Sequence, residues 1–166
     1  MLCENCGMEM NEKKATASQP YQYKMSGLKD VFLVGIDICH CEHCGDVSPI
    51  IPKIGELHAV ITLALLNKSK NLTGNELRFL RKNAEIAANK FAALLSISPE
   101  HLSRIENSAN QTLGAQADKL ARAIIADHVN GDIVGKILSR TADTTMEKAS
   151  TKNVIALEGN RWKKAA

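Results

Sequence analysis

Cys3-Glu4-Asn5-Cys6-Gly7 and Cys41-Glu42-His43-Cys44-Gly45 are two copies of one device. Two residues between the cysteines let both sulfurs point at one centre, and the glycine relieves crowding as the backbone turns. Two such knuckles supply four thiolates, the closed tetrahedral set of a structural zinc site, one ion per chain. About 34 residues separate the pairs, a long limb for a ribbon. The competing reading is a pair of redox dithiols, or cysteines paired by chance. A redox motif needs only one pair, so zinc is preferred. Cys39 is then left over, and His40 and His43 stand beside ligands without being ligands. Four protein ligands leave no position for water or substrate, so the metal is scaffolding.

Outward from the knuckles, Tyr21–Met25 and Val31–Ile38 are β-prone runs that read as a hairpin. Gly55–Asn67 places Leu57, Val60, Ile61 and Leu65 on one helix face, and it reads as a linker helix. No apolar run is long enough to cross a bilayer, and no signal peptide is recognisable at the N-terminus. The expected compartment is therefore the cytoplasm, where disulfides are disfavoured and paired cysteines point to metal. The 166 residues carry 45% apolar but only 4% aromatic side chains. The net charge of +3 is unevenly spread. Residues 1–56 hold five lysines against eight acids, and residues 57–107 hold seven basic side chains against four acids. A basic part suits nucleic acid and an acidic part suits something else.

From Leu72 the pattern is one of short helices. Thr73-Gly74-Asn75-Glu76 is a capping box, with Leu77, Leu80 and Ala84 following on one face. Ala88–Leu95 turns Phe91, Ala92 and Leu95 inward. Ser98-Pro99 starts the next helix with a cap and a first-turn proline, and Leu102 and Ile105 are its inward pair. Leu113–Val129 (inward Leu113, Ala117, Leu120, Ala121 and Ile124) and Asp132–Arg140 complete five helices. Beyond Thr141 only Val154–Leu157 is apolar, and that tail reads as flexible or ordered only by a partner.

The helices over Ala88–Leu95 and from Pro99, with a short link, fit a helix-turn-helix. The second helix of that motif offers outward residues to base edges, here Glu100, His101, Ser103, Arg104 and Asn107. Arg104 suits a bidentate contact with guanine or a phosphate clamp, and Asn89 and Lys90 suit the DNA backbone. The bland alternative is a plain bundle in which Glu100 and Arg104 form a surface pair worth about 0.3–0.5 kcal/mol.

Leu95–Gly114, LSISPEHLSRIENSANQTLG, resembles the recognition part of XRE/Cro-type repressors, and FLRKNAEIAANKFAALL resembles the two helices before it. LCENCG, the Tyr21-Gln22-Tyr23 run, GLKDVFLVGIDICHCEHCG and Ile51-Pro52 are similar to the YgiT-type zinc domain. That order of domains is the arrangement of MqsA-type antitoxins, and the resemblance covers roughly residues 1–130. It implies a type II antitoxin. Its zinc domain, on Cys3, Cys6, Cys41 and Cys44, would neutralise a toxin that is an mRNA-cleaving RNase. Its helix-turn-helix domain would dimerise and repress the operon on double-stranded operator DNA, with Arg104 as base reader. Glu100 stands where an amide is more usual, so operator preference is expected to differ. Ala87-Ala88 replace the usual Ser-Gln, and Ser96 and Ser108 stand where glycine is usual.

The expected architecture is α+β. A small zinc-binding β-ribbon with its linker helix spans 1–67, an all-α five-helix XRE/Cro-type domain spans 68–140, and the tail spans 141–166. A solitary zinc-containing repressor without a toxin, or a purely structural interaction protein, are the alternatives. An enzyme is not expected, since no nucleophile–base pair, phosphate loop or open metal position is present.

Overall fold

The computed structural model describes residues 1–108, 111–129, 153–159 and 161–165. The chain divides into two compact units. The first comprises Met1–Met25, Lys29–Ile61 and the described residues of Thr151–Ala166. The second comprises Ser26–Leu28 and the described residues of Thr62–Ser150.

The first unit holds two sheets. Strands β1 (Asn11–Lys14), β4 (Asp37–His40) and β5 (Val47–Ile50) form an antiparallel sheet in the order β1-β4-β5. Glu12 and Ser48 flank Cys39 in its register. Strands β2 (Tyr21–Gln22), β3 (Val31–Val34), β6 (Asn153–Glu158) and β7 (Arg161–Lys164) form a mixed sheet in the order β2-β3-β6-β7. Only the β3–β6 pair is parallel.

The expected hairpin forms where Tyr21 pairs with Leu33 and Gln22 with Phe32. The run Val31–Ile38 is nevertheless not one strand. Gly35 adopts φ +82°, and a Cβ there would lie 2.5 Å from the Leu157 carbonyl oxygen. The chain turns at this glycine, leaving the mixed sheet for the antiparallel one.

The expectation of a β-ribbon followed by an all-α five-helix domain is overturned by the late strands β6 and β7, which lie in the N-terminal unit. Ile155 is 0% exposed and Trp162 4% exposed, and the Trp162 indole N–H donates to the Pro52 carbonyl at 2.9 Å. Read locally, Val154–Leu157 is too short an apolar run to bury itself. Its partner β3 is more than a hundred residues earlier, and parallel pairing at that separation leaves no mark on the local pattern.

Helix α1 (Ile54–Leu66) contains the division between the units, after Ile61. Within the first unit it buries Leu57 and Ile61, and its His58 shares a 3.0 Å hydrogen bond with the buried Tyr23 hydroxyl. The second unit adds α2 (Gly74–Asn83), α3 (Ala88–Leu94), α4 (Pro99–Asn107) and α5 (Ala115–Val129). The expected helix Asp132–Arg140 lies outside the described residues.

Local chemistry explains where these helices begin and stop. The Thr73 hydroxyl accepts from Glu76 N–H, and the Glu76 carboxylate accepts from Thr73 N–H at 2.8 Å, closing the capping box. Both α2 and α3 end in Schellman motifs. Ile86 N–H reaches Arg81 O and Glu85 N–H reaches Lys82 O; Ile97 N–H reaches Ala92 O and Ser96 N–H reaches Ala93 O. The left-handed residues are Glu85 (φ +56°) and Ser96 (φ +55°), positions where glycine costs least. Ser98 caps α4 through His101 N–H, while Ala87 gives α3 no side-chain cap.

Leu77, Leu80, Phe91, Ala92, Leu95, Leu102 and Ile105 are buried, as their spacing predicts. Of the inward set expected for α5, Leu113 and Ala121 are buried, Ala117 and Ile124 are half-buried and Leu120 is not. Leu120 is 46% exposed, and the buried residues are Asp118, Ala121, Arg122, Ile125 and Ala126. A buried ion pair occupies part of the inward stripe, so the apolar count alone displaces the face towards Leu120.

Candidate metal centre and candidate nucleic-acid interface

The two knuckles fold identically. Cys3 N–H donates to Met8 O and Gly7 N–H to Cys3 O, both at 2.8 Å. Cys41 N–H donates to Asp46 O and Gly45 N–H to Cys41 O, both at 2.9 Å. Gly7 (φ +72°) and Gly45 (φ +76°) take the left-handed conformation that each turn requires. The first knuckle precedes β1 and the second joins β4 to β5, so the antiparallel sheet carries one to the other.

This arrangement brings the four sulfurs of Cys3, Cys6, Cys41 and Cys44 within 4.8 Å of one another. Two contacts cross between knuckles: Cys3 to Cys44 at 3.5 Å and Cys6 to Cys41 at 3.4 Å. A tetrahedral ion with metal–sulfur bonds of about 2.3 Å sets its ligands roughly 3.8 Å apart. The four cysteines could therefore hold a metal ion as a closed, all-thiolate set.

Backbone N–H groups favour thiolate in this cluster, and burial and neighbouring thiols work against it. The Cys44 N–H, with the Cys6 thiol and the His43 N–H, brings Cys41 down to about 7 against the effect of burial. At Cys6 the Met8 N–H pulls down, but burial and the thiols of Cys41, Cys44 and Cys3 prevail and push it up to about 12. Cys3 is held down by the Cys6 N–H, yet burial and the Cys44 thiol carry it above its ordinary value. Four thiols this close cannot all ionise without a cation among them.

Cys39 is buried in an apolar cluster with Cys3, Met10 and Cys41, and its sulfur is outside the four-sulfur group. His40 and His43 are likewise outside that group. The Asp46 carboxylate lies 3.8 Å from Cys3 Sγ, a neighbour that the spacing of the cysteines does not announce.

In the second unit Asn89, Lys90, Glu100, His101, Ser103, Arg104 and Asn107 are all exposed. Asn89 and Lys90 lie in the first turn of α3, and the other five lie on α4. Glu100 and Arg104 make no ion pair within 4 Å among the described residues, so the surface-pair reading loses its contact. The Glu100 carboxylate is instead stabilised by its own backbone N–H and by the Ser98 hydroxyl, with Arg104 adding attraction at a distance, and its pKa is lowered.

Asn107 is already engaged. Its amide nitrogen donates to Ser103 O at 2.9 Å and to Ser103 Oγ at 3.3 Å, and its amide oxygen accepts from Arg78 at 3.0 Å. Two buried groups fix the base of α4. Arg81 of α2 makes a two-pronged pair with Glu106, both bonds 2.7 Å, and donates to Ile86 O. The Glu106 carboxylate holds the Arg81 guanidinium above its ordinary pKa. The sequence reading missed both residues; the pairing of an arginine and a glutamate on inward-facing helix positions was the available signal.

Comparisons with protein-family models, with curated proteins and with solved structures return no match. No helix among the described residues is long and apolar enough to cross a membrane.

Proposed function

We propose that this chain is a DNA-binding antitoxin of a type II toxin–antitoxin system, with zinc as its structural metal. The observation that carries the reading is the helix pair α3–α4. A four-residue link, Leu95–Ser98, joins the helices, and the second presents an exposed Arg104 that has no ion pair among the described residues. The Arg81–Glu106 pair holds α4 against α2 from the buried side, leaving the opposite face for a partner. Resemblance to the YgiT-type and XRE-type patterns supplies the antitoxin assignment. The all-cysteine, closed donor set favours zinc as scaffold. The acidic stretch 1–56 would meet the toxin, an mRNA-cleaving RNase, and the second unit would bind the operator as a dimer.

Titration of a duplex carrying the chain's own promoter tests the DNA part. Binding whose log affinity falls linearly with log salt is expected, and Arg104→Ala should cost about 1–3 kcal/mol and relax preference at one base pair. Equal affinity of the Arg104→Ala variant would remove that residue from the interface. Co-expression with the adjacent reading frame tests the antitoxin part. Growth rescue and co-purification are expected, and their absence favours a solitary repressor.

A further inference from the structure

Asn107 lies in the last turn of the helix proposed to enter DNA, but every polar group of its side chain is spoken for. The amide N–H groups are turned back onto Ser103 of the same helix, at 2.9 Å to the carbonyl and 3.3 Å to the hydroxyl. The amide oxygen faces the other way and accepts from an Arg78 guanidinium nitrogen at 3.0 Å. A side chain held at both ends cannot offer the donor–acceptor edge that adenine recognition requires without breaking these bonds.

Arg78 is the opposite case. It sits on the exposed side of α2, and among the described residues no carboxylate lies within 4 Å of it. A guanidinium has five N–H groups, and the Asn107 bond uses one of them. The other four are held in a rigid planar fork beside the C-terminal end of α4. The Asn107 bond fixes the fork without neutralising it, because the amide is uncharged. A long arginine side chain on a surface ordinarily loses rotamer freedom on meeting a ligand. Here part of that ordering is present before any ligand arrives.

We infer that Arg78 is a phosphate-contacting residue of the DNA interface and that Asn107 is its positioning residue, not a base reader. The inference rests on the proposed binding of DNA. It adds a contact from α2, outside the helix-turn-helix, so the interface spans two elements. Phosphate is the matching ligand because a planar fork of donors meets its oxygens two at a time.

The experiment measures affinity for the promoter duplex and for an unrelated duplex over a range of salt, with the full chain in its metal-loaded form. Arg78→Gln is expected to weaken both complexes alike and to lower the salt slope by about 1, as one lost phosphate contact does. Arg78→Lys should restore the slope, since charge is retained. Asn107→Asp should behave like Arg78→Gln, because a carboxylate at that point would pair with the guanidinium. Helical circular dichroism of each variant should match the parent, as both residues are exposed. A parent that binds and an Arg78→Gln variant with unchanged slope would overturn the inference and leave the DNA-binding reading standing. Loss of base preference at one position on Asn107→Ala would also overturn it. A parent with no salt-dependent affinity for either duplex would overturn both.

Discussion

The Arg122 guanidinium is bonded to the Asp118 carboxylate at 2.8 Å, and its remaining N–H groups reach the carbonyls of Leu65, Leu66, Lys68 and Lys70 at 2.7–3.0 Å. Asp118 in turn accepts from Leu72 N–H at 2.8 Å. One ion pair on α5 therefore satisfies the carbonyls exposed at the end of α1 and ties down the loop that follows. Helix ends leave such carbonyls without partners, and burying them unsatisfied is costly.

Arg122→Met should destabilise the second unit by about 3–5 kcal/mol, since it strands a buried carboxylate and the four carbonyls together. Asp118→Asn should cost less, because the amide still accepts from Leu72 N–H. Urea denaturation followed by helical circular dichroism separates the two variants. Equal costs would show that the ion pair, and not the carbonyl network, carries the effect.

This pair also shows what was legible in the sequence and what was not. The capping box at Thr73, the Ser98 cap, the inward faces of α3 and α4 and the inward Leu77 and Leu80 of α2 follow from spacing within a few residues and are found. Ala84, by contrast, caps α2 and is only half-buried. On α5 the buried Ala121 follows too, but Asp118 and Arg122 do not, because they look like solvent residues until the carbonyls they serve are known. The four cysteines were legible because a knuckle is complete within five residues. The strands Asn153–Glu158 and Arg161–Lys164 were not, since what buries them is β3, far away in the chain.

Ser96 is the left-handed residue of the turn between α3 and α4, and a side chain there strains the backbone. Ser96→Gly should raise the stability of the second unit by about 1 kcal/mol, relief of strain outweighing the extra unfolded-state entropy of glycine. Ser108 lacks this conformation, with φ −98°, so Ser108→Gly should give no gain. Thermal midpoints of the two variants make the comparison.

Gly74 poses a contest between two effects of known size. As the first residue of α2, its replacement by alanine would gain at most the roughly 1 kcal/mol of a helix interior. Its Cβ, however, would collide with the Ile105 carbonyl, backbone that cannot step aside. Overpacking of that kind costs about 1–3 kcal/mol or more, so Gly74→Ala should be net destabilising. Gly114→Ala, with nothing near its added Cβ, is the control and should be close to neutral. A more stable Gly74→Ala variant would mean that α2 and α4 can move apart without penalty.

Removal of metal should act on the first unit selectively. Metal analysis should find about one zinc per chain, and Cys6→Ser should lower that occupancy sharply. Chelation would leave four crowded thiols without the cation proposed among them, and binding energy of this kind is folding energy. The knuckle sheet β1-β4-β5 should lose protection in amide exchange, while α2–α5 keep theirs, because they belong to the other compact unit. Simultaneous loss of protection throughout would show that the two units unfold as one.

His58 gives the first unit a dependence on pH that is separate from the metal. Burial holds its ring below the ordinary histidine pKa of 6.5, so the folded chain resists the proton that the unfolded chain accepts. As pH falls through 6.5 the unfolded state binds more protons, and stability declines until the folded ring also titrates. Above that range the contribution is constant. The 3.0 Å bond to the Tyr23 hydroxyl is compatible with a neutral ring, whose Nε2 can accept. His58→Gln should flatten the decline of stability as pH falls below 6.5, relative to the parent at equal metal occupancy. The single tryptophan, Trp162, is buried in the same unit and reports its unfolding by fluorescence. Parallel profiles for the parent and His58→Gln would mean that the decline comes from the thiolates losing their metal, and that His58 contributes packing alone.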